Sequence, residues 1–390
     1  MLDGIRVLDL TRMLAGPYAT MLLADLGAEV IKVEPPEGDE IRRMGPPFVN
    51  GESAYFLAIN RNKKSLALDL RTPAGLAAFQ RIAVKADVVI DNFRPGVMDR
   101  LGIGHDRLRE LSPSLVLCSI SSFGEAGPMR DLPAFDLVVQ AWSGAMSVTG
   151  EPGSPPARMG IPLGDLAGGS YAALAIAAAL VRRGRTGKGE RIELSLLDCL
   201  TAMHTYVAQY HFADGRVPGQ QGSRHMSVVP YGAFQTRDGW VAIGVFTERF
   251  WAGFCRALGR PEWSEDARYA TNELRVRNRG ALEPAIGDVL RTQNVEEWLS
   301  RLNGEGIPAA PVLTLDRTLE LPQLALRGMI TSFEHPVAGH VKTLGDPIRR
   351  GAPRPSPLLG QHTAEVLQEW GGLSENEITL LMTSGIARGA

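Results

Sequence analysis

Asp165 is the residue whose surroundings most invite chemistry. It stands in the segment Gly160-Ile161-Pro162-Leu163-Gly164-Asp165-Leu166-Ala167-Gly168-Gly169, directly ahead of a long apolar run. One role for it is capping, its carboxylate accepting backbone N–H groups at the start of a helix. The other role is reactive. Gly164, Gly168 and Gly169 strip side chains from the chain around it and permit close approach by a ligand. A helix start also favours the ionised carboxylate, and an ionised, accessible carboxylate can act as a covalent nucleophile. The residues alone leave both roles open.

Other reactive residue types form weaker patterns. The histidines, at 105, 204, 211, 225, 335, 340 and 362, include no HxH or HExxH pair, so no metal site is expected. Ser119, Ser121 and Ser122 end a strand-like run without a GxSxG elbow or an obvious base. Gly102-Ile103-Gly104 lacks the third glycine of a dinucleotide fingerprint, and Gly184–Glu190 has the wrong spacing for a phosphate loop. Basic residues gather at Arg42 and Arg43, at Arg61, Lys63 and Lys64, and at Arg94 and Arg100. They read equally as solvated charges or as a cradle for a polyphosphorylated ligand, because each group follows a predicted strand, the edge where α/β sheets bind ligands.

The elements that must position these residues alternate. Runs at 5–10, 28–34, 65–70, 86–93 and 115–123 read as strands, and 15–28 and 72–86 read as helices, the latter opened by Thr72 and Pro73. Such βαβ order argues for a parallel sheet covered on both faces. The stretch 166–184 is apolar nearly all round, which predicts a helix buried on every side. Past Leu200 the pattern changes: 204–216 reads as an irregular helix and 218–232 as a long polar loop. Strand 240–245 and helices 248–259 and 294–303 suggest a smaller α+β unit, and 357–372 reads as a terminal helix entered through Pro357.

Composition sets the outer bounds. The chain has 390 residues, with 41 basic against 43 acidic side chains and a net charge of −2, so no polyanion-binding field exists and nucleic acid is not an expected partner. Cys118, Cys199 and Cys255 are odd in number and far apart, which suits a reducing cytoplasm. No apolar signal segment is visible at the start, and the apolar run Tyr171–Val181 is too short to cross a bilayer. The expectation is a soluble cytoplasmic protein that needs no membrane.

Several segments, in order, carry a resemblance: DLTRMLAGPYATMLLADLGAEVIKVEPPEGDEIR, NRNKKSLALDL, DNFRPGVMDRLG, SISSFGEAGP, GDLAGG, VVPYGAFQTRDGW and PLLGQHTAEVL. Together they resemble the class III coenzyme A transferases, the CaiB/BaiF or formyl-CoA transferase-like family, over essentially the whole chain. The resemblance implies an α/β fold with a Rossmann-like parallel-sheet large domain, residues 1–200 completed by 345–390. It further implies a linker at 201–225, a smaller α+β domain at 226–320, a return linker at 321–344, and an interlocked homodimer. It implies a CoA-transferase with acyl-CoA and a carboxylic acid as substrates and no permanently bound cofactor. Asp165 takes the place of the family nucleophile, which forms a covalent aspartyl-CoA intermediate. The implied CoA site comprises Arg12, Leu14, Ala15, Arg43, Leu70, Asn92, Phe93, Arg100, Leu101 and Phe135. Formyl-CoA transferases carry His-x-Gln where this chain has Arg12-Met13-Leu14, and a four-glycine loop where it has Gly222-Ser223-Arg224-His225. Those four residues, expected at the acid substrate, are more similar to the succinyl-CoA:dicarboxylate branch. The alternative within the same fold is an α-methylacyl-CoA racemase, but its Gly-His-Asp segment is here Ala134-Phe135-Asp136, without the histidine base.

Overall fold

Short apolar runs become the strands of one sheet: β1 (Arg6–Asp9), β2 (Glu29–Glu34), β3 (Lys63–Leu68), β4 (Val88–Asp91), β5 (Val116–Ser121), β6 (Arg191–Ser195) and β7 (Ala387–Arg388). Their order is β7-β3-β2-β1-β4-β5-β6. All pair in parallel except β7, which runs antiparallel to β3. This is the expected α/β architecture, seen in a computed structural model that describes residues 1–348 and 351–390. Alternation decides the faces. Val7, Val30, Val88 and Val116 enter one core layer, and Leu8, Ile31, Leu66, Val89 and Leu117 enter the other.

The chain leaves β1 toward β2 on one side, and the sheet continues from β1 through β4 on the other. The strand order reverses at this point, where open α/β sheets form a crevice beyond their carboxyl ends. Helix α1 (Ala15–Asp25) follows β1. Helix α2 (Asp136–Trp142) precedes α3 (Leu163–Thr186). Ala172, Ile176, Ala179 and Leu180 of α3 pack into the same core layer as Ala15, Ala19 and Leu23 of α1. The burial expected on every side of α3 is not found, since Leu174 is 64% and Val181 60% exposed. The face of Ala172, Ile176, Ala179 and Leu180 meets the sheet and α1, and the opposite face stays open. By length and composition α3 could cross a bilayer, but here it is a core helix of the sheet.

The expected terminal helix over 357–372 is shorter, Thr363–Glu369. A second helix, Glu375–Thr383, and the edge strand β7 follow it. The Ser374/Glu377 capping box that starts that helix was readable in the sequence as S-x-x-E. The two-residue strand β7 is too short to leave a pattern.

The structure divides into two compact units: Met1–Ala145, Arg158–Gln209 and Pro322–Ala390 form the first, Met146–Ala157 and Tyr210–Leu321 the second. The second unit has an antiparallel three-stranded sheet of Tyr231–Gln235, Trp240–Gly244 and Ala309–Pro311. Trp251, Phe254, Leu282, Ile286 and Trp298 fill its core. The paired strands Ile330–His335 and Gly339–Leu344 belong to the first unit.

Candidate active site

At the reversal point the loops after β1 and β4 are tied together. Arg12 N–H donates to Asn92 Oδ1 at 2.8 Å, and Asn92 Nδ2 donates back to the Arg12 carbonyl at 2.7 Å. The Arg12 guanidinium lies over the Phe93 ring, 5.3 Å from its centroid. Two cavities meet here. One, of about 590 Å³, is lined by Arg12, Leu70, Asn92, Phe93, Leu101 and Phe135 among others. The other, of about 540 Å³, is lined by Leu14, Ala15, Asn92, Arg100, Phe135 and Asp165 among others. Nine of the ten residues expected at CoA therefore line one or both. Arg43 lines neither; its guanidinium donates to the Glu37 carbonyl at 2.9 Å. Arg94 lines both cavities.

Asp165 is the third residue of α3, and Pro162 holds the cap position without a side-chain bond. Asp165 is therefore not the cap. That role belongs to Asp136, whose Oδ1 accepts the N–H of Gly164 at 2.8 Å and of Asp165 at 3.2 Å. Asp136 Oδ2 accepts from Gln140 Nε2 at 2.6 Å. The helix start was expected to keep Asp165 ionised. Instead, burial and then the Asp136 charge raise its carboxyl to about 7. A half-buried carboxyl titrating there is ionised in a large fraction at neutral pH, yet basic enough to be a good nucleophile.

The glycines around Asp165 admit protein, not ligand. A Cβ on Gly164 would stand 2.9 Å from Asp136 Oδ1, one on Gly168 2.2 Å from Leu196 Cδ2, and one on Gly169 2.5 Å from the Ala15 carbonyl oxygen. Their bareness brings α2, α3 and α1 together and places the first turn of α1 beside Asp165. No side chain caps α1, so its first N–H groups stay available to negative charge.

The sequence reading missed two residues here. Asp136 was noted only for the histidine absent before it, since nothing in its spacing reveals a cap for another helix. Tyr55 sits in the short helix Ala54–Ile59. Burial, followed by the charges of Asp165, Asp39 and Asp136, raises its phenol to about 12, which keeps it a hydrogen-bond donor. A lone tyrosine gives no sequence signal of this kind. No group of three His, Cys, Asp or Glu side chains able to hold a metal occurs among the described residues.

Gly222, Ser223, Arg224 and His225 belong to the second unit. Gly222 N–H donates to the Gly150 carbonyl at 2.8 Å, and its lack of a side chain admits Glu151, which lies 2.2 Å from where a Cβ would stand. Ser223 Oγ accepts from Ala233 N–H at 2.8 Å. Arg224 pairs with Glu283 at 3.2 Å and Glu151 at 3.6 Å, on the wall of a cavity of about 710 Å³ that includes Trp240 and Arg279. His225 packs edge-on against Tyr231 and Phe246, and burial together with Arg279 lowers its pKa.

The model of CoA-transferase family III matches residues 2–363. A succinyl-CoA:glutarate CoA-transferase from Mus musculus is 40% identical, over 99% of this chain and 90% of that protein. A succinyl-CoA:mesaconate CoA-transferase from Haloarcula hispanica is 38% identical, over 97% and 98%. Among solved structures, a CAIB/BAIF family protein from Brucella suis superposes with a TM-score of 0.84 at 37% identity, covering 95% of this chain and 99% of that one.

Proposed function

Because the chain belongs to CoA-transferase family III and is a CoA-transferase, we propose that it moves CoA from succinyl-CoA to a dicarboxylic acid through a covalent thioester on Asp165. The observation that carries this reading is the Asp165 carboxyl, held at about 7 and opening into the cavity that Ala15, Arg100 and Phe135 also line. The similarity to succinyl-CoA:glutarate and succinyl-CoA:mesaconate transferases supports the donor and the acid class.

The chemistry follows from the groups. The Asp165 carboxylate attacks the thioester carbonyl, the C–S bond breaks, and a mixed anhydride forms with release of CoA thiolate. The thiolate attacks the Asp165 acyl carbon, freeing succinate and leaving an aspartyl-CoA thioester. The acceptor carboxylate attacks that thioester, expels thiolate and forms a second anhydride. Thiolate then attacks the acceptor acyl carbon and Asp165 leaves as carboxylate. One thioester is exchanged for another, so the sequence balances without ATP. Each addition places negative charge on a carbonyl oxygen, and preorganised N–H donors lower that barrier. The uncapped first turn of α1 at Ala15–Gly16 supplies them; Gly222 N–H, already bonded to Gly150, does not.

In this reading Leu70, Phe93 and Leu101 take the adenine, and Arg94 and Arg100 meet the phosphates. Arg224, with His225 beside it, is the cation for the second carboxylate of the acceptor, which replaces the exposed Glu151. The reading also includes the interlocked homodimer, for which Trp142, Leu174 and Val181 offer exposed apolar surface. It takes the enzyme as cytoplasmic, in keeping with three free cysteines. A racemase is disfavoured by Phe135, which gives no second proton carrier.

The test is trapping. Incubation with succinyl-CoA followed by borohydride labels the Asp165 peptide in the native enzyme. Asp165→Ala loses the label and transfer by several orders of magnitude while retaining CoA affinity. Transfer persisting in Asp165→Ala removes the covalent reading.

A further inference from the structure

Behind the first turn of α1 lies a set of charges that the reaction itself does not touch. Asp9, Lys32 and Lys63 are buried. Asp9 Oδ1 accepts both the N–H (2.9 Å) and the hydroxyl (2.5 Å) of Thr11, and Oδ2 accepts the Thr20 hydroxyl at 2.6 Å. Lys63 Nζ donates to Asp9 Oδ2 at 3.1 Å, to Asn60 Oδ1 at 2.9 Å and to the Pro17 carbonyl at 2.9 Å. Lys32 Nζ donates to the Thr11 carbonyl at 2.8 Å and pairs with Asp39 at 2.8 Å.

Buried ion pairs rarely stabilise a core better than apolar residues of the same volume, so what this one fixes is the informative part. Its bonds converge on Thr11 and on Pro17 and Thr20 of α1. The amide, hydroxyl and carbonyl of Thr11 are all engaged. The next residue, Arg12, has its amide and carbonyl held by Asn92. Met13 is then left in the left-handed region, at φ 64°, a conformation that persists in a residue with a side chain only where its surroundings over-determine it. Leu14, Ala15 and Gly16 follow at once, and a Cβ on Gly16 would stand 2.2 Å from the Thr11 Cβ. The chain from β1 to the turn of α1 beside Asp165 is thus pinned residue by residue.

We propose that Asp9 is a positioning residue of the transfer reaction, acting through Thr11 to hold the first turn of α1 where its free N–H groups meet charge developing beside Asp165. The inference rests on the reading of Asp165 given above. Lys63 keeps Asp9 ionised, and Lys32 fixes the opposite end of the Thr11 peptide.

Thr11→Val removes the hydroxyl bond at nearly constant shape, and Thr11→Ser restores the hydroxyl. With the acyl-CoA and acid that the unmodified enzyme uses, Thr11→Val is expected to lower kcat about 10- to 100-fold, with KM for acyl-CoA within about two-fold. Thr11→Ser is expected to recover most of the rate. Gly16→Ala displaces Thr11 without altering Asp9 and provides the same readout should Thr11→Val fail to fold. A wild-type kcat in Thr11→Val or Gly16→Ala, a loss confined to KM, or a serine variant no better than valine would each overturn the proposal. Asp165→Ala, assayed alongside, reports on the nucleophile separately: its activity would remove that reading whatever the Thr11 variants do.

Discussion

The Asp136 carboxylate accepts the backbone N–H groups of Gly164 and Asp165, so the helix carrying the Asp165 carboxyl is capped by a second carboxyl from another helix. The contact works in two directions. It fixes the Asp165 backbone, and it places a like charge beside the Asp165 side chain, which adds to burial in raising that group to about 7.

Asp136→Asn separates the two effects. The asparagine oxygen can still accept both N–H groups, while the charge is gone. The acid limb of kcat/KM, expected near pH 7 in the native enzyme as Asp165 ionises, should move to lower pH. Asp136→Ala removes the cap as well, and should cost about 1 kcal/mol of stability together with most of the turnover. A pH–rate profile of the three proteins checks this. A limb that stays in place in Asp136→Asn would make burial the whole cause.

Raising Asp165 also carries a stability consequence. In the unfolded chain this carboxyl titrates near 3.8, in the folded one near 7. Between those values the folded state keeps a proton that the unfolded state has lost, so the contribution is complete below about pH 4 and disappears as pH rises through 7. Asp165→Asn mimics the protonated form at every pH. It should match the native enzyme in stability at pH 4 and exceed it at pH 8 by ~2–4 kcal/mol. Denaturant unfolding at both pH values measures the difference, and equal stabilities at pH 8 would contradict the raised pKa.

The sheet was legible in the sequence because its signal is local: Val7 and Leu8 alternate faces within four residues of chain, and Thr72-Pro73 announces a helix on its own. The one-sided burial of the helix that carries Asp165 was not legible. Its all-apolar sequence is compatible with full burial, and which face stays open depends on where its partners end. Asp165 itself stood out, but for a reason the structure reassigns. The glycines beside it make room for Asp136, Leu196 and the Ala15 carbonyl, and contacts between residues so distant in the chain leave no spacing to read. The capping role of Asp136, the place of Tyr55 and the pairing of Asp9 with Lys63 are hidden for the same reason.

The reassigned glycines can be tested directly. Gly169→Ala would place a Cβ 2.5 Å from a backbone oxygen of α1, which cannot yield as a flexible side chain would. It should destabilise by ~1–3 kcal/mol. Gly184, in the same helix, has nothing within 4 Å of its would-be Cβ, and Gly184→Ala should stabilise by roughly 0.5–1 kcal/mol through helix propensity. Opposite signs in denaturant melts support packing as the reason for the glycine pair. A neutral Gly169→Ala that only weakens acyl-CoA binding would restore ligand clearance as its role.

The proposed role of Arg224 in acid specificity can be tested through the two carboxylates it pairs with. Glu283 is mostly buried, whereas Glu151 is 65% exposed and sits farther away, at 3.6 Å. An exposed pair at that distance is worth at most about 1 kcal/mol, so a substrate carboxylate can take the place of Glu151 while Glu283 still holds the guanidinium. Arg224→Met should therefore weaken dicarboxylic acids by about 1–3 kcal/mol in kcat/KM and leave monocarboxylic acids of similar length unchanged. Glu151→Gln should act the other way, improving dicarboxylic acids slightly by removing their competitor. Both are read from a panel of acids with succinyl-CoA as donor, followed by mass spectrometry. Equal losses for both acid classes in Arg224→Met, with no gain in Glu151→Gln, would mean that the arginine braces the loop through Glu283 and that another group meets the second carboxylate.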